Sequence, residues 1–465
     1  MYKALFFTGE VLRNFSVRAR ISVFLITLLF FVVVLPPGVG AQSGGPDSEE
    51  TTIDARTQAE IIDSVTQALN EVYVFPDVAK EMEKHLRKQY KKKAYQDITS
   101  LKDFSQKLTE DLGAISHDKH LWVRFVPDEM LARFKADTLT DEEKQRELEE
   151  RRRDNFCFKE IKLLGGNVGY VDFRCFSEAT DAGPTAIAVM NFLAYTDAII
   201  FDLRQNGGGS PSMIQLITSY FFPEPVHLNS FYIRKSDSTQ QFWTQACVQG
   251  PRMTDVDLYV LTSSYTFSGA EEFTYNLKNL KRATIVGETT GGGAHPIDIR
   301  LFENLNVGMS LPYGRAVNPI TGTNWEGTGV TPHIEVPQEK ALDVAHLEAL
   351  KKLKERTDDP DRQAEMQWAI DGKEVKLNPV TVEESQLQDY VGQYGPRKVW
   401  VESAELYYQR ENRPKYKLFP MGNHRFMLDG LDYFRIQFVV DEEGKATELI
   451  GQYDDGHTDN HKRGK

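Results

Sequence analysis

Among its 465 residues the chain has only three cysteines, no internal repeat, and fewer basic than acidic side chains, 55 against 68. Three cysteines cannot hold a fold built mainly from disulfides. A formal charge of −13 argues against duplex nucleic acid as a partner, because affinity for the phosphate backbone depends on basic side chains. Beyond residue 41 nothing reads as a membrane span, which needs ~20 consecutive apolar residues. What is present is 40% hydrophobic and 26% charged, the balance of a globular protein, in a chain several times the ~150 residues of one domain.

The first forty-odd residues differ in kind. Lys3, Arg13, Arg18 and Arg20 precede an unbroken apolar run from Ile21 to Leu35, then Pro36, Pro37 and the small residues Val39, Gly40 and Ala41. This is the plan of a secretory signal peptide over 1–41, and its apolar run is short for a membrane anchor. Its removal takes away four basic residues and one acid, Glu10, leaving a still more acidic protein that is periplasmic or extracellular, without stable membrane insertion.

Folding "FCFKEIKLLGGNVGYVDFRCF" about Gly166 sets Cys157 opposite Cys175 on paired strands. That spacing suits a disulfide in an oxidising compartment; the alternative is two small buried side chains. Cys247 is then unpaired.

The texture of the chain changes twice. Ile61, Ile62, Val65, Leu69 and Val72 recur at helical spacing, Met82 to Tyr90 repeats the pattern, and residues 42–130 read as a helical N-terminal domain. Residues 128–154 are dense in charge and read as a solvated helix or excursion. From Phe156 strands and helices alternate: a hairpin, a helix from about Pro184, "AIIFDL", a glycine-rich turn, a helix near Met213, "DLYVLTS", a helix after Ser268, and "ATIVGE". That alternation predicts an α/β core over 131–340, a helix-covered sheet with its site at the strand carboxyl ends. A helical linker over 341–378 leads to a small antiparallel β domain over 379–465, of six short strands, with Tyr407, Tyr408, Phe426 and Phe434 as core or groove residues.

Ser268 stands where a strand gives way to a helix, with Gly269 next and Glu271 three residues on. The arrangement reads as a capping box, in which serine and glutamate satisfy free N–H groups, or as a nucleophile-bearing turn. The turn "DLRQNGGGS" supplies the backbone amides of Gly207 and Gly208, which with Gly269 could stabilise an oxyanion. It lacks the lysine of a phosphate-binding loop.

"DLRQNGGG", "SYTFSGAEEF" and "RATIVGETTGGG", in that order, resemble the C-terminal processing (tail-specific) peptidases over roughly residues 156–337. The resemblance implies a crotonase-like core of packed βαβ units, a serine nucleophile at Ser268, Arg282 at the matching offset, and no metal or other cofactor. Where many relatives carry a catalytic lysine this chain has Gly293, so that position offers no Ser-Lys dyad. Similarity to the branch containing the tricorn core and the interphotoreceptor retinoid-binding proteins implies a replacement: His120 in "SHDKHLWV" as base, and Glu326 in "NWEGTGVTP" as its orienting partner. His117 and His295 are the alternative bases. Asp118, Glu271 and Glu288 read as local hydrogen-bonding groups. The last domain resembles the small lipocalin-like β domains found after some hydrolase cores. The function implied is an exported serine peptidase acting on flexible peptides or disordered segments; the runner-up is a non-catalytic protein binding a hydrophobic ligand or peptide. No PDZ-like insert lies between His120 and Phe156, which argues against strict C-terminal specificity.

Overall fold

The computed structural model describes residues 51–135 and 140–464. The expected signal peptide, 1–41, lies outside them.

The N-terminal region folds as its apolar spacing predicts. α1 (Ala55–Val72) buries Ile61, Ile62, Val65 and Leu69, and its start is capped by the Asp54 carboxylate, which accepts the Thr57 N–H at 2.8 Å. α2 (Pro76–Lys91) opens on a proline, tolerated there because the first-turn N–H has no intrahelical acceptor. α3 (Leu101–Ser116) ends at His117, which takes a left-handed conformation. Within four residues the chain enters β1 (Trp122–Phe125). The charged stretch forms α4 (Asp128–Lys135) and α5 (Asp141–Arg153), and α5 buries none of its residues.

The core follows. β2 (Phe158–Leu164) and β3 (Val168–Phe173) form the hairpin expected around Gly166. At its open end the structure joins Cys157 to Cys175, with Cα atoms 5.5 Å apart. α6 (Ala179–Phe192) begins five residues before the expected start at Pro184, its first N–H donating to Ser212 Oγ. Then come β4 (Ala198–Asp202), α7 (Pro211–Thr218), β5 (His227–Ile233), β6 (Ser238–Trp243), β7 (Asp257–Thr262), α8 (Gly269–Asn279) and β8 (Ala283–Gly287). β9 (Ile297–Phe302), β10 (Val307–Pro312), β11 (Gly314–Val317) and β12 (Ile334–Glu335) complete it.

Six of these strands form one sheet in the order β12-β8-β7-β4-β3-β2, parallel throughout except at the β2–β3 hairpin. Parallel strands covered on both faces should be apolar without alternation, and β4 is buried at all five residues. α6, α7 and α8 cover one face through Met190, Ile217 and Phe273. The other face is covered by α9 (Gln338–Arg356) and α10 (Pro360–Leu377), whose Leu350, Met366 and Ile370 pack on Tyr170, Ile200 and Leu261. The segment expected to act as a linker is therefore a layer of the core.

After α11 (Glu384–Leu387) an up-and-down meander runs through β13 (Gly392–Tyr394), β14 (Arg397–Glu402), β15 (Glu405–Arg410), β16 (Tyr416–Gly422), β17 (Arg425–Leu428), β18 (Leu431–Val440), β19 (Ala446–Tyr453) and β20 (Thr458–Lys462). A bridge between Tyr394 and Arg463 brings the last strand to the first, so the barrel is nearly closed. Tyr408, Phe426 and Phe434 fill its interior with Tyr394 and Phe438, whereas Tyr407 stacks outside on Trp400. Short β13 and β20, unseen in the sequence, make eight strands rather than six.

One strand pairing positions the site. β1 pairs antiparallel with β10, and Leu121 and Val123 share a hydrophobic cluster with Val307, Met309 and Leu311. The N-terminal helices are thereby joined to the core, and His120 is delivered one residue before that buried seam. No helix among the described residues is long and apolar enough to cross a membrane.

Candidate active site

Ser268 closes a loop that runs from β7 to α8 and is anchored from below. Thr266 Oγ1 donates to Leu203 O at 2.8 Å, Ser263 Oγ to Arg204 O at 2.6 Å, and Phe267 N to Asn206 O at 3.2 Å, so the Ser268 loop rests on the glycine-rich turn. Ser268 itself has φ 53° and ψ −120°. Ordinary N-caps lie in the extended region, as Asp54 and Ser100 do here with φ −101° and −83°. A non-glycine residue outside every common basin stores strain, a feature concentrated at functional turns.

Two loops clasp this serine. A Cβ at Gly208 would lie 2.7 Å from Gly269 N and 2.8 Å from Ser268 Cβ, so only glycine allows the close approach. The Gly208 N–H, however, donates to Asn206 Oδ1 at 2.9 Å, contrary to the expectation that it faces an oxyanion. Gly269 occupies the first turn of α8, where N–H groups lack intrahelical acceptors, and Gly207 is exposed.

The second clasp is Glu271, fully buried. Its carboxylate accepts Ser268 N at 2.9 Å, Gly293 N at 2.8 Å, Gly292 N at 2.6 Å and Thr290 Oγ1 at 2.5 Å. Burial pushes its pKa up to about 7, against the pull of those four donors. One carboxylate thus fixes the serine to the Thr290–Gly293 loop, which the sequence alone gave no means of seeing.

His120 lies over Phe267 with ring centroids 4.7 Å apart, and its backbone N–H donates to Asp118 Oδ1 at 3.0 Å. Its Nδ1 is buried without a hydrogen-bond partner. Burial pulls its pKa down to about 4, opposed by Asp118 and reinforced by His295, so the imidazole is neutral at pH 7 and can receive a proton. Among the described residues no hydrogen bond joins His120 to the Ser268 hydroxyl. The other two histidines are placed differently. His117 is exposed at the end of α3, and His295 Nδ1 lies 2.7 Å from Asp118 Oδ2 and 3.5 Å from Glu326 Oε2.

Glu326 accepts Ala294 N at 2.6 Å and Lys119 N at 3.4 Å, linking the loop before His120 to the loop after Gly293. Burial raises its pKa, and Asp118 adds to the rise. Asp118 is more than a local group. It receives His295, the Tyr73 hydroxyl at 3.2 Å and the His120 N–H, and although burial alone would raise its pKa, His295 and His120 hold it below the ordinary value. Glu288 accepts Ser264 N and Gln338 N, and Arg282 grips the carbonyls of Met253, Val256 and Phe221 beyond the far end of α8; both are structural here.

Two family descriptions match the chain in tandem. "N-terminal domain of Peptidase_S41 in eukaryotic IRBP" covers residues 53–158, including His120, and "Peptidase family S41" covers 167–336, including Ser268 and Glu326. The chain belongs to peptidase family S41. The mixed α/β core is the one expected. Among solved structures, this S41 peptidase is similar to a photosystem II D1 C-terminal processing protease at 21% identity over 37% of its own length, with a TM-score of 0.31. It spans 43% of that protein. A putative peptidase from Parabacteroides merdae matches at 17% identity over 61% of this chain and 90% of the other, TM-score 0.43. The tricorn protease matches at 12% over 65% and 37%, TM-score 0.42.

Proposed function

We propose that this S41 peptidase is exported and hydrolyses peptide bonds in flexible peptides or disordered protein segments, with Ser268 as nucleophile, His120 as general base and Glu326 as the positioning carboxylate. The observation that carries this reading is the conformation of Ser268, strained at a helix start and clasped by Gly208 and Glu271. A serine serving only as a cap has no need of φ 53°.

In this mechanism Ser268 Oγ attacks the substrate carbonyl while neutral His120 takes its proton and later returns it to the leaving amine. Glu326, acting through Lys119 N and Ala294 N, holds the base loop against the Gly293 loop. The Gly269 N–H faces the developing oxyanion, and a second amide comes from the Gly207–Gly208 turn once Asn206 Oδ1 releases Gly208. Substrate binding supplies the final closure of His120 on Ser268, since catalytic hydrogen bonds often tighten only in the complex. Export to an oxidising compartment accords with the Cys157–Cys175 bond.

Incubating the full-length protein and its Ser268→Ala variant with casein, with fragments read by mass spectrometry and folding by thermal melt, tests the reading. Cleavage by the wild type alone, with both folded, supports it. Equal cleavage by both, or none by either, overturns the role of Ser268 and turns attention to a binding function for the same cleft.

A further inference from the structure

The buried polar groups behind the nucleophile exceed what acyl transfer needs. A nitrogen of His120 and one carboxylate oxygen each from Asp118 and Glu326 lie within 4.8 Å of one another. His295 Nδ1 adjoins both acids, at 2.7 Å from Asp118 and 3.5 Å from Glu326. One imidazole and two carboxylates therefore converge from two segments of chain, and His295, from a third, stands against both acids. His120 Nδ1 is meanwhile buried with no hydrogen-bond partner, an expensive state for a polar atom.

We infer that Asp118, His120, Glu326 and His295 form a binding site for a divalent transition metal of the zinc class, and that the bound metal switches the peptidase off. Tetrahedral zinc holds nitrogen and carboxylate ligands at about 2.0 to 2.2 Å, which sets its ligands a little over 3 Å apart. The His295 separations of 2.7 and 3.5 Å bracket that value and the other three ligand atoms lie within 4.8 Å of one another, so side-chain movement would complete the site. Imidazole selects zinc, copper or nickel over calcium and magnesium, which take oxygen ligands.

The surroundings suit the role. Tyr73 and the His120 N–H orient Asp118, and Ala294 N orients Glu326, the kind of outer support that fixes metal ligands. Access is available along a cleft of about 480 Å³ lined by Gly113, His117, Asp118, Lys119 and Gly327. On binding, His295 exchanges its bond to Asp118 for the metal, its ring proton moving to the other nitrogen. A metal on His120 occupies the lone pair that would receive the serine proton. The inhibitory half of this inference rests on His120 being the base; the binding half does not.

The two halves are tested separately. In full-length Ser268→Ala protein, zinc chloride titrated against a chromophoric chelator should bind once per chain, with calcium and magnesium failing to compete. Adding His120→Ala or the shape-preserving Glu326→Gln should weaken zinc at least about tenfold, while His457→Ala, a surface change, leaves it alone, with thermal melts confirming that each variant folds. Unchanged affinity in both site variants overturns the site. In the wild type, one equivalent of zinc should stop casein cleavage and EDTA should restore it; cleavage that continues with zinc bound overturns the switch. If the wild type is inactive with and without EDTA, the peptidase reading and the switch fall together, and the chelator titration still decides the metal site.

Discussion

A Cβ atom at Gly293 would stand 2.7 Å from Cε1 of His120 and 2.2 Å from Cζ of Phe267. The histidine and a side chain at 293 exclude each other. The absence of lysine at this position is thus matched by a ring that fills its space, and a base supplied from position 120 is incompatible with one supplied from 293.

Gly293→Lys should therefore abolish casein cleavage rather than install a Ser-Lys pair. Even Gly293→Ala forces His120 or Phe267 to shift, an overpacking cost of about 1 to 3 kcal/mol. Thermal melts and kcat of the alanine variant would show it; a fully active, undestabilised Gly293→Ala would contradict the packing described.

Ser268 offers a second discrimination. Its φ of 53° is costly for any residue with a side chain and mild for glycine. Ser268→Gly and Ser268→Ala should both be inactive, with the glycine variant the more stable of the two by about 1 to 3 kcal/mol, the usual cost of such strain. Denaturant midpoints of the pair measure it directly, and an alanine variant at least as stable as the glycine variant would remove the claim of strain.

Stability should fall as pH rises through neutrality. Burial pushes Glu272 up to about 7, with Asn229 and Asn276 beside it pulling the other way. A carboxylate raised on folding binds its proton more tightly in the native state, so its contribution is full below the unfolded value near 4.5 and lost as pH passes about 7. Glu272→Gln should match the wild type at pH 5 and exceed it at pH 8. Midpoints in urea at the two pH values test the sign, and parallel pH profiles would reject it.

Reducing Cys157–Cys175 should cost about 2 to 4 kcal/mol, since the bond closes a loop whose opening enlarges the unfolded ensemble. Melting with and without dithiothreitol reads this, and the Cys157→Ala, Cys175→Ala double variant should melt with the reduced protein.

The parallel core was readable because its strands are continuous apolar runs and its helices repeat their apolar residues at a different period. "AIIFDL" and "DLYVLTS" can hardly be anything but covered strands, and β4 and β7 follow them. The pairs β5–β6 and β9–β10 were missed: β6 is largely exposed and β9 partly so, and each hairpin gains a third strand, β11 or β1, from a distant part of the chain. The site divides the same way. Ser268 and the glycine turn announce themselves through local geometry, whereas Glu271 looks like a capping residue until the Thr290–Gly293 loop is folded over it. The Asp118–His295 pair joins residues 177 positions apart, and no local pattern encodes it. Gly208, read from the sequence as an oxyanion amide, lies beside the serine, and its N–H turns inward through an Asn206 bond that spacing cannot foresee.

The pairing of β1 with β10 also bears on when the molecule becomes dangerous to its surroundings. The segment that carries His120 is made early in synthesis, yet it can reach Ser268 only after Val307 to Pro312 has emerged and the seam between them has closed. Contacts so distant in sequence form late, because the intervening chain must first be ordered. On the proposed reading, a half-made or clipped chain would hold a serine without its base, and destructive capacity would be withheld until the two halves of the polypeptide have found each other.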